Sequence, residues 1–366
     1  MDVGRNTLRM IAENIIEKCL RIKCGEMVTI NTWRHTIELA EELAFKCYEI
    51  GAIPLITLMT DWLWFKIMSK VSPEKLSRTP IHVLEGLDGE DVCINIHGPE
   101  EPPTINKVNP ENMEALRRAY EPIIRRERQL KIRVADIYLG KVTLKRARAY
   151  GLNYNEWRKT ILNALLVNYD EIKSLGLKIS NKLINSNEVS IEDEFGSKLK
   201  FKIEGRKPIV DDGIIDENDI ELGMTSIMLP AGKVEIAPIE NSANGSIIVK
   251  DHFIFGSKIR NLRWRFRNGK LIEVVADENL HLFTKFYEKI SGDRDRIGRL
   301  IIGLNPAMKP NNLFDTLIKG AVSIGIGDNS DIGGMNRATA HYSITLINAT
   351  LKLDDEVIIE NGRIII

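Results

Sequence analysis

The chain has 366 residues, 43% hydrophobic and 28% charged, with 51 basic residues balanced by 51 acidic ones. That length suits two domains of ordinary globular composition. Zero net charge offers no field to draw in nucleic acid, and no apolar run is long enough to span a bilayer, so neither partner is expected. The basic runs around Arg125-Arg126 and Arg263, Arg265, Arg267 read as solvated faces, the second alternating with Trp264 and Phe266 as a strand does. Cys19, Cys24, Cys47 and Cys93 form no Cys-x-x-Cys pair, which suits buried thiols in a reducing cytoplasm. The N-terminus lacks a signal-peptide core, and abundant Ile, Lys, Glu and Arg point to a thermophile.

The first half alternates helix and strand. Thr7 to Cys19 carries Leu8, Ile11, Ile15 and Ile16 at helical spacing. Gly25 breaks into an extended run, Met27 to Ile30. A helix follows over Ile37 to Ile50, stopped by Gly51, then strands over Ile53 to Met59 and Val92 to Ile96. Strands separated by such helices imply a parallel sheet with crossover connections. The prolines between Gly98 and Pro110 predict an irregular loop. Glu111 to Gln129 reads as a helix kinked or broken at Pro122, Val134 to Leu139 as a strand, and Asn155 to Leu175 as one long helix.

From about Glu188 the period shortens to two. Val189 to Glu192 and Lys198 to Ile203 alternate apolar with polar, as half-solvated strands do. Further strands are predicted over Ile247 to Val249, Leu262 to Arg267, Leu271 to Val275, Ile344 to Ile347 and Val357 to Ile359. Asn268-Gly269 signals a hairpin between two of them. A helix is expected over Glu278 to Ile290. The reading is therefore an α/β domain with a parallel sheet over 1–180 and a β-rich (α+β) domain over 181–366, the second carrying the active-site cavity.

Four C-terminal segments could carry chemistry. They are Leu229-Pro230-Ala231-Gly232-Lys233-Val234-Glu235-Ile236-Ala237-Pro238, Ile297-Gly298-Arg299 through Gly303-Leu304-Asn305-Pro306, Val322 to Asn329, and Gly333 to Ser343. No serine sits in a nucleophile elbow, and no Gly-x-Gly-x-x-Gly follows the first strand. His35, His82, His97, His252 and His281 read as structural or surface histidines.

The order and spelling of these segments, with Gly205-Arg206-Lys207 and Asp211-Asp212-Gly213 upstream, resemble the thermophilic aminopeptidase family, that of aminopeptidases T and S. The resemblance implies a homodimeric two-metal exopeptidase that removes N-terminal residues from peptides. In such a site paired ions polarise the scissile carbonyl and acidify the attacking water. Carried over position by position, the ligand set is altered. Lys233 and Arg299 stand where the family has glutamates, Ser323 where it has a histidine, and Ser343 where it has the aspartate of a His-x-Asp pair. His341 alone keeps its residue and is the candidate metal ligand.

A divalent cofactor (Zn²⁺, Co²⁺ or Mn²⁺) is then expected only if Glu235 and Asp328 rebuild the site around His341. Glu235, Asp328 and Tyr342 are the candidate catalytic residues. Lys233, Arg299, Ser323 and Ser343 are the candidate substrate-binding residues. Two clustered cations call for an anionic ligand, a small metabolite or a peptide carboxylate, or else for salt bridges to Glu235, Glu240 or Asp328. The family also resembles a mononuclear iron ring-cleaving dioxygenase acting on a hydroxypyridine, which implies that the scaffold can host other metal chemistry.

Overall fold

The computed structural model describes residues 4–103, 107–254, 257–310 and 313–366. Among them no helix is long and apolar enough to cross a membrane. The chain divides into two compact units. The first comprises Met1–Ala149, Asn153–Leu166 and Gly213–Pro230, the second Tyr150–Leu152, Val167–Asp212 and Ala231–Ile366.

The first unit is built on a five-stranded parallel sheet. Its strands lie in the order Ile53–Met59, Met27–Trp33, Val92–Ile96, Arg133–Ile137 and Ser226–Leu229. The apolar runs that predicted the first three strands are there, the run from Met27 extending to Trp33. Ser226–Leu229 was not predicted, since four residues with exposed Ser226 and Met228 give only a weak alternation. The first helix runs Arg5–Glu13 and widens into a π-turn over Asn14–Cys19. Pro110–Leu130 passes through Pro122 as one helix rather than breaking. The single helix expected over Asn155 to Leu175 is two helices, Tyr154–Leu165 and Tyr169–Ile184. The break falls at Asn168, whose side-chain oxygen accepts from the Asp170 and Glu171 amides and so starts a new helix.

The second unit is antiparallel and holds two sheets. One has eight strands, from Lys270–Val275 through Ser257–Arg267 and Asn244–Ile254 to Arg363–Ile364. Its hairpin turns at Asn268 and Gly269, both at positive φ, as the Asn-Gly pair predicted. The other has five strands in the order His341–Leu346, Val322–Gly327, Ile297–Gly303, Lys233–Ile236 and Ile209–Asp211. Ile297–Gly303 lies at its centre and is buried at every residue. The helix Tyr169–Ile184 packs behind the last two strands. Gly176 permits this approach, because a Cβ there would stand 2.5 Å from Val210 Cγ1.

Candidate functional site

The register of the five-stranded sheet decides which expected residues meet. Asp211 pairs with Lys233, and Ile209 with Glu235. Glu235 pairs with Ile301 and Lys233 with Gly303. Arg299 pairs with Gly325, which pairs with Ser343, and Ser323 pairs with Ile301 and Thr345. Because side chains alternate along a strand, this places Asp211, Lys233, Glu235, Arg299, Ser323, His341 and Ser343 on one face. Tyr342, between His341 and Ser343, points to the other.

Ionic contacts knit the first of these together. Lys233 Nζ donates to Glu235 Oε1. Arg299 Nη1 donates to Glu235 Oε2 at 2.8 Å, and Arg299 Nη2 to Asp331. Arg299 Nε donates to the Asp328 carbonyl at 3.3 Å. Arg299 is 3% exposed and Glu235 6%, so these pairs are screened little by water. Burial alone would raise the Glu235 carboxyl, but Lys233 and Arg299 outweigh it and hold the group below its usual range. Burial would likewise lower the Lys233 ammonium, and Glu235 and Asp211 together hold it above its usual range. Gly325 makes the approach of Arg299 and Ser343 possible, since a Cβ there would stand 2.7 Å from Ser343 Oγ and 3.1 Å from Arg299 Cβ.

Asp211 is the misfit of the cluster. Burial pushes its carboxyl up to about 6, with Lys233 opposing and Glu235 adding to the rise. An acid whose folded pKa is raised costs stability as pH climbs through the window between 3.8 and about 6, because the unfolded chain ionises first. Asp211→Asn is therefore expected to stabilise the protein by about 1–3 kcal/mol near pH 8 and to have little effect near pH 4. Urea unfolding at the two pH values checks this; an equal effect at both would contradict it.

The remaining candidates have other partners. Ser323 Oγ meets Thr345 Oγ1 at 2.8 Å. Ser343 Oγ is buried without a hydrogen-bond partner among the described residues. The Asp328 carboxylate accepts from Ser330 Oγ at 3.0 Å and from the Ala338 amide at 3.4 Å, so it anchors its own loop. Burial and the nearby Arg299 lower the His341 pKa, while Glu235 and Asp331 oppose them.

Tyr342, expected beside the reacting groups, instead lies on the opposite side of its strand. There it bonds His252 and packs against Trp264, Phe283 and Phe286, with ring centroids 5.1 to 6.1 Å away. Burial pushes its hydroxyl far above the usual range and the His252 imidazolium down to about 4. The neutral pair is a core contact.

The loop that carries Asp328 and Asp331 is fixed from below. Glu240, 7% exposed, accepts from Arg206 Nη2 at 2.6 Å, Asn329 Nδ2 at 3.2 Å and the Met335 amide at 2.7 Å. Asn329 Oδ1 accepts from the Asn336 amide at 2.9 Å, and Asn336 Nδ2 donates to the Ile297 and Gly327 carbonyls. The Gly333-Gly334 pair has a concrete role, since a Cβ on Gly334 would fall within 2.2 Å of the Asn329 side-chain amide. Sequence reasoning missed Asp331 as the partner of Arg299. The loop brings it back across 32 residues, and no local spacing announces such a return.

A two-metal centre needs several carboxylate or imidazole donors with free lone pairs. Among the described residues no three His, Cys, Asp or Glu side chains converge as such a set. His341, Glu235 and Asp328 are not brought together as metal donors.

Known proteins share this fold. The computed structure aligns with AmpT from Thermus thermophilus at TM-score 0.74 and 17% identity, over 99% of this chain and 100% of that one. It aligns with 2,5-dihydroxypyridine dioxygenase from Pseudomonas putida KT2440 at TM-score 0.64 and 13% identity, over 99% and 98% of the two chains. At these identities the likeness bears on fold alone: a parallel sheet with helices followed by antiparallel β-rich sheets. No curated protein matches the chain in sequence. The sequence profile of the thermophilic metalloprotease (M29) family matches residues 5–298, and the chain belongs to that family.

Proposed function

We propose that this chain is a metallopeptidase-family protein in which an ion-pair lattice replaces the two-metal centre, so that it does not act as a metal-dependent aminopeptidase. The observation that carries this reading is Glu235. One of its oxygens is engaged by Lys233 and the other by Arg299, so its charge is already matched by two cations. An ammonium and a guanidinium beside it repel a divalent ion by Coulomb's law. The residues present therefore do not fit the family's metals, and no catalytic step is assigned to them.

The expected result is purified protein without stoichiometric Zn²⁺, Co²⁺ or Mn²⁺ by elemental analysis, and without Co²⁺-stimulated hydrolysis of leucyl-nitroanilide. Bound metal together with turnover would sink the proposal. A second reading keeps Arg299 as the seat of a ligand carboxylate. It is favoured by the Asp331 side chain, which is 60% exposed and free to swing aside for a bidentate newcomer. Titration with N-acetyl-leucine separates the two readings, since saturable binding abolished by Arg299→Leu requires the second.

A further inference from the structure

A parallel sheet is ordinarily covered on both faces, because its crossover helices pack on both sides. In the first unit one face is covered: Val28, Ile30, Ile94, Ala135 and Ile137 are buried. The other face is half open. Leu55 is 61% exposed and Met228 44%, and between them runs a polar row. The register sets Thr57, Asn31, Asn95, Asp136 and Met228 side by side across all five strands.

Hydrogen bonds tie the row together. Thr57 Oγ1 donates to Asn31 Oδ1. Asn31 Nδ2 donates to Asn95 Oδ1 at 2.8 Å, and Asn95 Nδ2 to Asp136 Oδ1 at 3.2 Å. His97 Nε2 meets the same Asp136 oxygen at 3.0 Å. The row lies near the carboxyl ends of Met27–Trp33 and Val92–Ile96. The strand order reverses between these two, and open α/β sheets bind ligands at such a switch point.

The chemistry of the row is selective. Asp136 is held by two contacts to Oδ1, while Oδ2 accepts no hydrogen bond among the described residues. Apart from His97, no basic side chain among them lies within ion-pair distance of this half-buried carboxylate. Charges of both signs lie around it: Glu90 and Asp136 add to the rise that burial gives the Glu127 carboxyl, and Asp136 opposes the lowering of the Lys141 ammonium by burial and Arg146. Beside Asp136 in the register stands the exposed Met228, a soft apolar surface that accepts an aromatic ring.

We propose that this open face binds a primary ammonium carried on an apolar or aromatic body, the ammonium against Asp136 Oδ2 and the body over Met228. Charge complementarity selects this occupant, since a fixed carboxylate oxygen that accepts no hydrogen bond among the described residues favours a cationic donor over a neutral one. The site is independent of the lattice around Glu235.

Calorimetric titration of the full chain with phenethylammonium, and with neutral 2-phenylethanol as its match in size, tests the assignment. The amine is expected to bind saturably, the alcohol about tenfold more weakly or worse, and Asp136→Asn to weaken the amine by about tenfold with an unchanged circular dichroism spectrum. Equal binding of the two compounds, no binding of the amine, or undiminished binding by a folded Asp136→Asn protein would each overturn it. If that variant does not fold, the comparison of amine with alcohol on the unaltered chain decides.

Discussion

Glu235→Ala is expected to cost about 3–5 kcal/mol in chemical denaturation, the largest single effect at the site. The wild-type carboxylate serves two cations, one oxygen each. Its removal leaves Arg299, 3% exposed, with only the pair to exposed Asp331 and a carbonyl contact. Lys233 keeps Asp211 nearby, a carboxyl that burial pushes up to about 6. A buried cation without its anion carries its full desolvation penalty, which is why breaking such a pair costs more than the pair contributes. The pH dependence follows the same logic. Glu235 has a depressed folded pKa, so its contribution is present above the ordinary glutamate value of 4.5 and is lost as pH falls through the folded value. Lys233 has a raised folded pKa, so its contribution is present below 10.5 and is lost as pH rises through the folded value. A loss under about 1 kcal/mol at neutral pH would show that the lattice is solvated in solution.

Glu240→Ala is expected to cost about 3 kcal/mol and to loosen the loop over residues 328–340, read as faster amide exchange at Met335 and Asn336. Glu240 gathers a guanidinium, a side-chain amide and a backbone amide. Its loss leaves Arg206 with the Gly333 carbonyl but no anion, and opens the seat of Asn329, which is itself fully buried. Glu240→Gln should recover part of the loss, because its carbonyl still accepts while the charge is gone. Unchanged exchange in the alanine variant would show that the loop is held by Asn336 and Gly334 instead.

The parts of the fold legible in sequence were those with one clear period. Ile53–Met59 and Val92–Ile96 are largely apolar, interrupted by Thr57 and Asn95, and they are strands of a parallel sheet. The strands that carry the candidate site were harder to read. Ile297–Gly303 and Val322–Gly327 are buried at every residue, and glycines at 298, 303, 325 and 327 weaken their strand signature. They stood out as motifs instead. Lys233 and Arg299 stand out by their positions within those motifs, and Glu235 as the residue two past Lys233 on the same strand face. Asp331 was not, since its role depends on a loop closing in space. Tyr342 adjoins His341 and Ser343 in sequence but faces away from them, since neighbours in a strand face opposite ways.

The last strand of the parallel sheet, Ser226–Leu229, enters after the chain has spent residues 167–212 in the second unit. The order of synthesis and the order of assembly therefore differ. A nascent chain cut or paused near Ser180 holds four of the five parallel strands and exposes the edge of Arg133–Ile137 that Ser226–Leu229 would cover. That edge presents unpaired amides and carbonyls, the surface from which aggregation starts. The first unit is thus a late product of translation although it begins at the N-terminus, and a fragment ending at residue 180 would be the wrong one to express.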